Sequence, residues 1–582
     1  MAGFAESRRG YLEFFSRRIC IIIVLAIASS AFFANFIGFQ GLMGGADQGS
    51  YIAMAKLISE GNGFTFYDPV AKEASAFADP DYFLPLPFHA VYGRPGYVAT
   101  GWPKGYPILA SVFFRLLGYQ GFRMVNPILA SLAVVMTFLV CRRLGYSWGG
   151  VAASGLLATS WLEIWYARDP MSEICSQFFF LTCLYFAIRY YKTERNWCLV
   201  GLLCFSSYAL VVHIYNVPVL FGVWMIVGSV LRKRLETKAD LFARMKVILS
   251  ACAVVLLPTL TLLFFAAVLD PAFGGYYTPL IGIFQWNNIS RGSEWAGYAS
   301  PGGTGFAANL NLIAVSYVHL ISMFVPVPIV ILGLVAVFEL LRDRTNRVVW
   351  LGLMIVTIGV AYGLLSIWGV MLHPIDGGRR LIWSVIPILY ISFGVFCQRI
   401  VGCCCQSIAG TRQNVLKLLG IVLLLLAITG QITMYLPFQG INKGGGSPML
   451  LAKVRQTLEE RGSLANSLVI LGGGASPLYD SGLRYVYDVP IVGSRAPTEA
   501  VVSTIMPQEL ALHHTLYLLD YQDSRLAQPH SDLLTAIESA GYRCTGLWTY
   551  SVIWYDPNDV SLFEWPKTSA IMTLTFTLYS ID

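Results

Sequence analysis

Charge is scarce in this sequence. Only 13% of its 582 residues are Asp, Glu, Lys or Arg, against 56% hydrophobic. That balance excludes an ordinary soluble globule, in which about a quarter of residues are charged. Cysteine pairs are lacking where they could crosslink. Of twelve cysteines only Cys544 falls in the long polar C-terminal region, so no disulfide framework is expected. No H-x-x-x-H or H-E-x-x-H spacing occurs, which argues against a zinc site. Gly472-Gly473-Gly474 lacks the full G-x-G-x-x-G pattern of a nucleotide loop. The net charge of +7 does not point to nucleic acid, because the Lys and Arg residues cluster in short loops between apolar runs.

Long apolar runs are abundant. Many reach the roughly 20 residues needed to cross a bilayer core of about 30 Å. The expected spans lie near 19–38, 122–141, 147–165, 173–190, 197–213, 215–231, 247–268, 312–340, 348–370, 381–398 and 414–435, about eleven in all. The first follows Arg8, Arg9, Arg17 and Arg18 in a signal-anchor layout. Alternate connections carry Arg142-Arg143, Lys192 with Arg195, Arg232-Lys233-Arg234, then Arg342, Arg344 and Arg347, and finally Arg399 and Arg412. The positive-inside rule then puts the N-terminus in the cytoplasm and the C-terminus outside a multi-pass protein of the cytoplasmic membrane. From 436 the composition changes to alternating strand-like and helical patterns, so 436–582 is expected to be an extracytoplasmic α/β domain after a polytopic α-helical membrane domain, 1–435. Within it the apolar runs at 467–471, 484–492, 514–520 and 543–555 are expected as strands, with a closing strand near 569–579.

The outside face holds two large loops, 39–121 and 269–311. The first opens on Gly44-Gly45-Ala46-Asp47-Gln48-Gly49-Ser50-Tyr51. From Asp47 the pattern Ile52, Ala55, Leu57, Ile58 predicts an amphipathic helix along the membrane surface. The segment 106–118 is apolar, too short to span and interrupted by Arg115, so it is expected as a second interfacial helix. Loop 269–311, with its glycines, Trp286 and Trp295, reads equally as a lid or as an anchoring loop.

Two carboxylates stand at outside ends of spans, Asp47 and Asp169. A carboxylate where membrane meets water can take a proton from a substrate hydroxyl. Each also has a plain reading as a helix cap, Asp169 with Pro170 in the first turn of the next helix. Arg168 reads as the partner of a nearby acid. Outside cations are few and include Arg94, Lys104, Arg168, Arg291, Arg379 and Arg380. The stretch His373-Pro374-Ile375-Asp376-Gly377-Gly378-Arg379-Arg380 runs against the positive-inside rule. It points to an anion there, whether a lipid phosphate, ordinary headgroups or Asp376. Asp79-Pro80-Asp81 is either a divalent-cation triplet or a turn.

Taken together the layout resembles the GT-C superfamily of membrane glycosyltransferases, in the branch holding protein O-mannosyltransferases and the lipid A aminoarabinose transferase. The Asp-Glu-x-x-Tyr motif after the first span of those enzymes is similar to Asp47-Gln48-Gly49-Ser50-Tyr51, with Gln48 in place of the Glu. Their Pro-rich lead into an interfacial helix resembles Trp102-Pro103-Lys104-Gly105-Tyr106-Pro107. Asp169-Pro170 resembles their second outside acid, and Gly378-Arg379-Arg380 their late basic stretch. The resemblance spans roughly 1–435. It implies a GT-C-like enzyme that moves a sugar from a polyprenyl-phosphate donor to a hydroxyl of a lipid, glycan or protein acceptor, with inversion. In that scheme Asp47 and Asp169 are catalytic. Lys104, Arg379, Arg380 and Arg94 hold the donor phosphate, and Tyr51, His373 and Arg168 are further site candidates. No cofactor is required, although a divalent cation is compatible with the layout. The rival readings are a metal-dependent oligosaccharyltransferase-like enzyme, and a lipid flippase or transporter built on broken or repeated helices.

Overall fold

The computed structural model describes residues 2–38, 46–85, 88–91, 94–100, 103–213, 216–237, 345–368, 383–407, 448–462, 464–472, 482–493, 496–512, 514–523, 532–555 and 571–582, with isolated positions between 245 and 341 and residue 429. The expected spans 312–340 and 414–435, most of 247–268, the loop 269–311 and the last two of the three glycines at 472–474 lie outside them, wholly or nearly so.

Helices occupy most of the apolar runs. They are α1 (Ala2–Ile37), α4 (Gly105–Leu144), α7 (Ser172–Thr193), α8 (Asn196–Val212), α9 (Asn216–Thr237), α10 (Arg347–Trp368) and α11 (Val385–Ser407). Among the described residues, α1 and α4 are long and apolar enough to cross a membrane. The expected span 147–165 is not one helix. It forms α5 (Ser147–Ala158), a break at Thr159–Ser160, and the short α6 (Trp161–Ala167). An elbow then turns the chain by 115° into α7.

The two ends of the bundle differ. At one end Arg234 pairs with Glu194 at 2.8 Å, Arg399 Nε donates to Tyr146 Oη at 2.6 Å, and Tyr191 Oη donates to the Thr345 carbonyl at 3.2 Å. The basic connections are thus gathered at the ends of α4, α7, α9 and α11. The opposite end carries the α6–α7 elbow and the first loop.

That loop is more ordered than its Pro- and Gly-rich sequence suggested. After α2 (Ala46–Ser59), strands β1 (Thr65–Tyr67), β2 (Phe88–Ala90) and β3 (Tyr97–Thr100) form an antiparallel sheet in the order β1-β3-β2, with the short α3 (Pro69–Ala74) between the first two. The Asp79-Pro80-Asp81 triplet is a turn. Asp79 accepts from the Asp81 amide at 3.0 Å, and Asp81 holds the Ala90 amide at 2.7 Å and His89 Nδ1 at 3.0 Å. Both carboxylates are engaged by their own loop, as Asp side chains in Pro-rich turns commonly are.

The C-terminal region is a five-stranded sheet, order β5-β4-β6-β8-β7, formed by β4 (Ser467–Leu471), β5 (Ile491–Val492), β6 (Thr515–Asp523), β7 (Cys544–Tyr555) and β8 (Ile571–Ile581). β4 runs parallel to β5 and β6, while β8 is antiparallel to β6 and β7. The run 484–492, expected as one strand, supplies only Ile491–Val492, and Gly482–Val486 is instead a π-helical turn. Every residue of β4 is buried, because both faces of the sheet are covered. Val469 and Leu471 share a core with Leu450, Val454 and Leu458 of α12 (Pro448–Arg461). Leu468 and Ile470 pack with Ile505, Met506 and Ile537, and with Ala74 and Phe83 of the first loop. The first loop is therefore part of the C-terminal region's core.

Candidate active site

The helix expected from Asp47 onward is α2, and it is buried within the protein rather than exposed along one face. Tyr51, Ile52, Ala53, Met54 and Ala55 are all at most 4% exposed. α2 is packed against α4 on one side and against the π-helical turn 482–486 on the other. The face that its sequence offered to water is covered by a segment more than 400 residues away. Lys56 marks the cover, donating to the Tyr485 carbonyl at 3.2 Å and to Asp488 at 3.3 Å.

Asp47 is the second residue of α2, and its side chain lies outside the described residues. Its neighbour Gln48 is described: Gln48 Nε2 donates to Asp169 Oδ2 at 3.4 Å. Two acids 122 positions apart in sequence are thus brought to one junction, where the start of α2 meets the α6–α7 elbow. Asp169 is 3% exposed. It is not the cap of α7, because the N-cap is Met171, which makes no side-chain capping bond. The elbow is held by Asn126 of α4, whose buried amide donates to the carbonyls of Tyr166 at 3.2 Å, Met171 at 2.9 Å and Asp169. Tyr51 completes the junction. Its hydroxyl is 3.2 Å from Ser172 Oγ, and its ring meets Tyr106 edge-on at 5.3 Å. Asn126, Ser172 and Tyr106 were missed by sequence reasoning. Asn126 had left a signal, a polar side chain inside an apolar run.

Arg168 reaches back from the elbow to the first helix. Its guanidinium donates to the Ala34 carbonyl at 3.1 Å, in the last turn of α1, where a cation complements the exposed carbonyls and the helix dipole. Lys104 is fully buried immediately before α4 and donates to the Thr100 carbonyl. It is fixed there because Gly105 abuts Val212 of α8, where a Cβ would come within 2.5 Å of backbone, and because Tyr208 Oη donates to the Gly105 carbonyl at 2.7 Å. A cleft lined by Met54, Leu57, Phe66, Phe88 and Thr100 opens beside this ammonium. Arg94 is exposed in the turn between β2 and β3, away from that cleft's lining. His373, Arg379 and Arg380 lie outside the described residues. Among the described residues no group of three or more His, Cys, Asp or Glu side chains could hold a metal ion.

Beyond the expected interfacial helix 106–118, α4 is broken at Gly118 (φ 58°, ψ −145°), so its first three turns leave the axis of the rest. Only glycine adopts that backbone without strain.

The architecture has solved counterparts. ArnT from Cupriavidus metallidurans in the apo state superposes with a TM-score of 0.52 at 13% identity, covering 96% of this chain and 97% of that one. The same protein bound to undecaprenyl phosphate gives 0.50, with the same identity and coverage. The fold is GT-C. The archaeal oligosaccharyltransferase AglB from Archaeoglobus fulgidus, in complex with an inhibitory peptide and a dolichol-phosphate, also superposes at 0.52, with 11% identity over 87% of this chain and 69% of that one. No family model matches the sequence, and no curated protein matches it. The likeness in fold to ArnT thus runs nearly the length of the chain, while the sequences are almost wholly different.

Proposed function

We propose that this chain is a glycosyltransferase that moves a sugar from a polyprenyl-phosphate donor to a hydroxyl acceptor, on the outer face of the cytoplasmic membrane. The observation that carries the reading is the junction itself: the residue following Asp47 touches Asp169, at the bundle end that also carries the buried Lys104. In this reading the Asp47 carboxylate takes the proton of the acceptor hydroxyl. The oxygen attacks the anomeric carbon from the face opposite the phosphate, and inversion follows. The carbon–oxygen bond to phosphate breaks, and polyprenyl phosphate leaves with the electron pair. Lys104, Arg379 and Arg380 stabilise that charge, with Arg94 at the rim, and Tyr51 and His373 complete the site. Asp169 orders the acceptor side. Phosphate on a lipid is already a good leaving group, so the scheme needs no metal. The N-terminus is cytoplasmic and the C-terminal sheet faces outside.

The test uses the full-length protein in nanodiscs with undecaprenyl-phosphate-linked hexoses and pentoses, offered with a cell-envelope fraction from a strain lacking the protein. Sugar should appear in that fraction, and Asp47→Asn should slow transfer at least about 100-fold. Undiminished transfer by that variant removes the base assignment, and donor translocation without transfer makes the protein a transporter. The likeness to AglB favours one second reading, an oligosaccharyltransferase-like enzyme working through a divalent cation. Loss of transfer on chelation, restored by added Mn²⁺ or Mg²⁺, would favour it over the metal-independent scheme.

A further inference from the structure

We infer that Gln48 is the positioning residue for Asp169, its amide holding the carboxylate from α2 while Asn126 holds the elbow backbone from α4. The geometry is two-sided. Gln48 Nε2 lies 3.4 Å from Asp169 Oδ2, and the Asn126 amide reaches the carbonyls of Tyr166, Asp169 and Met171. Asn126 is fully buried and Asp169 nearly so. The backbone clamp sets where the elbow stands, and the side-chain contact sets where the acid points. A neutral donor at 48 matters because of what surrounds it. Glu163 on α6 and Glu173 on α7 are buried on either side of the elbow, Arg168 precedes Asp169, Tyr51 and Tyr106 face it from α2 and α4, and Asp47 is one residue from Gln48. In such a neighbourhood an amide can donate to a carboxylate, whereas a second carboxylate would repel it.

The pairing stands on the geometry, and its catalytic consequence rests on the glycosyltransferase reading. Gln48→Glu places a second carboxylate within reach of Asp169. Two such groups in contact at a half-buried site retain one proton between them. Infrared spectra of the full-length protein at pH 7 should therefore show an additional protonated-carboxyl band in Gln48→Glu. The band should vanish in Gln48→Glu/Asp169→Asn. Absence of the band from the single variant, or its persistence in the double variant, overturns the pairing. The positioning role is read separately. Gln48→Met keeps the length of the side chain and removes the donor, so kcat with an undecaprenyl-phosphate-linked sugar should fall about tenfold while KM and the melting temperature hold. Unchanged kcat, or a loss matched by a fall in melting temperature, overturns it. If Asp47→Asn left transfer intact, the base assignment would fall while the infrared result stood; donor translocation without transfer would remove the glycosyltransferase reading and likewise leave the infrared result standing.

Discussion

Asp68 ties the first loop to the C-terminal sheet, and breaking that tie should loosen both. Its side chain is 1% exposed. One carboxylate oxygen caps α3 by accepting from the Val70 and Ala71 amides at 2.9 and 3.1 Å, and also takes Arg484 Nη2 at 2.6 Å. The other accepts from Tyr485 Oη at 3.2 Å. The Tyr485 ring in turn packs on Phe66 and Phe88, at 5.1 and 4.6 Å between centroids. Asp68→Ala loses a helix cap, about 1 kcal/mol, and strands a guanidinium whose side chain is only 10% exposed, about 3–5 kcal/mol. These losses overlap, so the net is set at about 4 kcal/mol, which corresponds to local opening roughly 700-fold more frequent. Asp68→Asn keeps an oxygen for the cap and should lose about half as much. Hydrogen exchange read by mass spectrometry on the full-length protein in detergent is the assay. Segments 69–74 and 482–493 should lose protection together in Asp68→Ala. Arg484→Met added to Asp68→Ala should recover part of it, because an apolar stem tolerates the vacated site better than an unpaired charge does. Unchanged exchange in Asp68→Ala, or strictly additive losses in the double variant, would refute the reasoning.

Other consequences can be checked singly. The Cys544 thiol is half-buried, and burial pushes its pKa up to about 11. At pH 7 its thiolate fraction is then about 100-fold below that of an ordinary cysteine, so it should react with a maleimide far more slowly than a cysteine introduced at exposed Ser551; equal rates would contradict the burial. The Glu509 carboxyl, packed beside His514, is raised above its ordinary value chiefly by burial. Its contribution to stability is therefore fully present below the ordinary carboxyl range and is lost as pH rises through the raised value. Melting temperatures of Glu509→Gln should accordingly gain on wild type as pH rises from about 4.5 to 7, and the opposite trend would count against the burial account. Gly118→Ala forces a side chain into a backbone that costs it roughly 1–3 kcal/mol, so α4 should either melt earlier or straighten. A spin-label distance between positions 112 and 135 would record the change, and an unaltered distance with unaltered stability would be the contrary result.

The sequence by itself determined the membrane character, the clustering of basic connections at one end of the bundle and the presence of a strand-and-helix region after 436. Each of these is carried by runs of many residues: apolar length, charge asymmetry and periodicity are summed locally and survive single exceptions. It also singled out Asp47 and Asp169, because a carboxylate beside an apolar run is costly enough to stand out. What it could not give were the partners. α2 read as amphipathic and proved buried, because its polar side is covered by 482–488. Arg168 read as the mate of an acid, and its bond to the end of α1 had left no sign in the sequence. The sheet that the first loop forms, sharing a core with the C-terminal strands, was not read from the sequence at all. The two acids became one junction only through Gln48 and an elbow pinned by Asn126. Those contacts join residues up to 432 positions apart. Local sequence fixes how far a segment is apolar and with what period. Which surface meets which is decided only when the whole chain has closed, since a buried polar group takes whichever partner the packing leaves within reach.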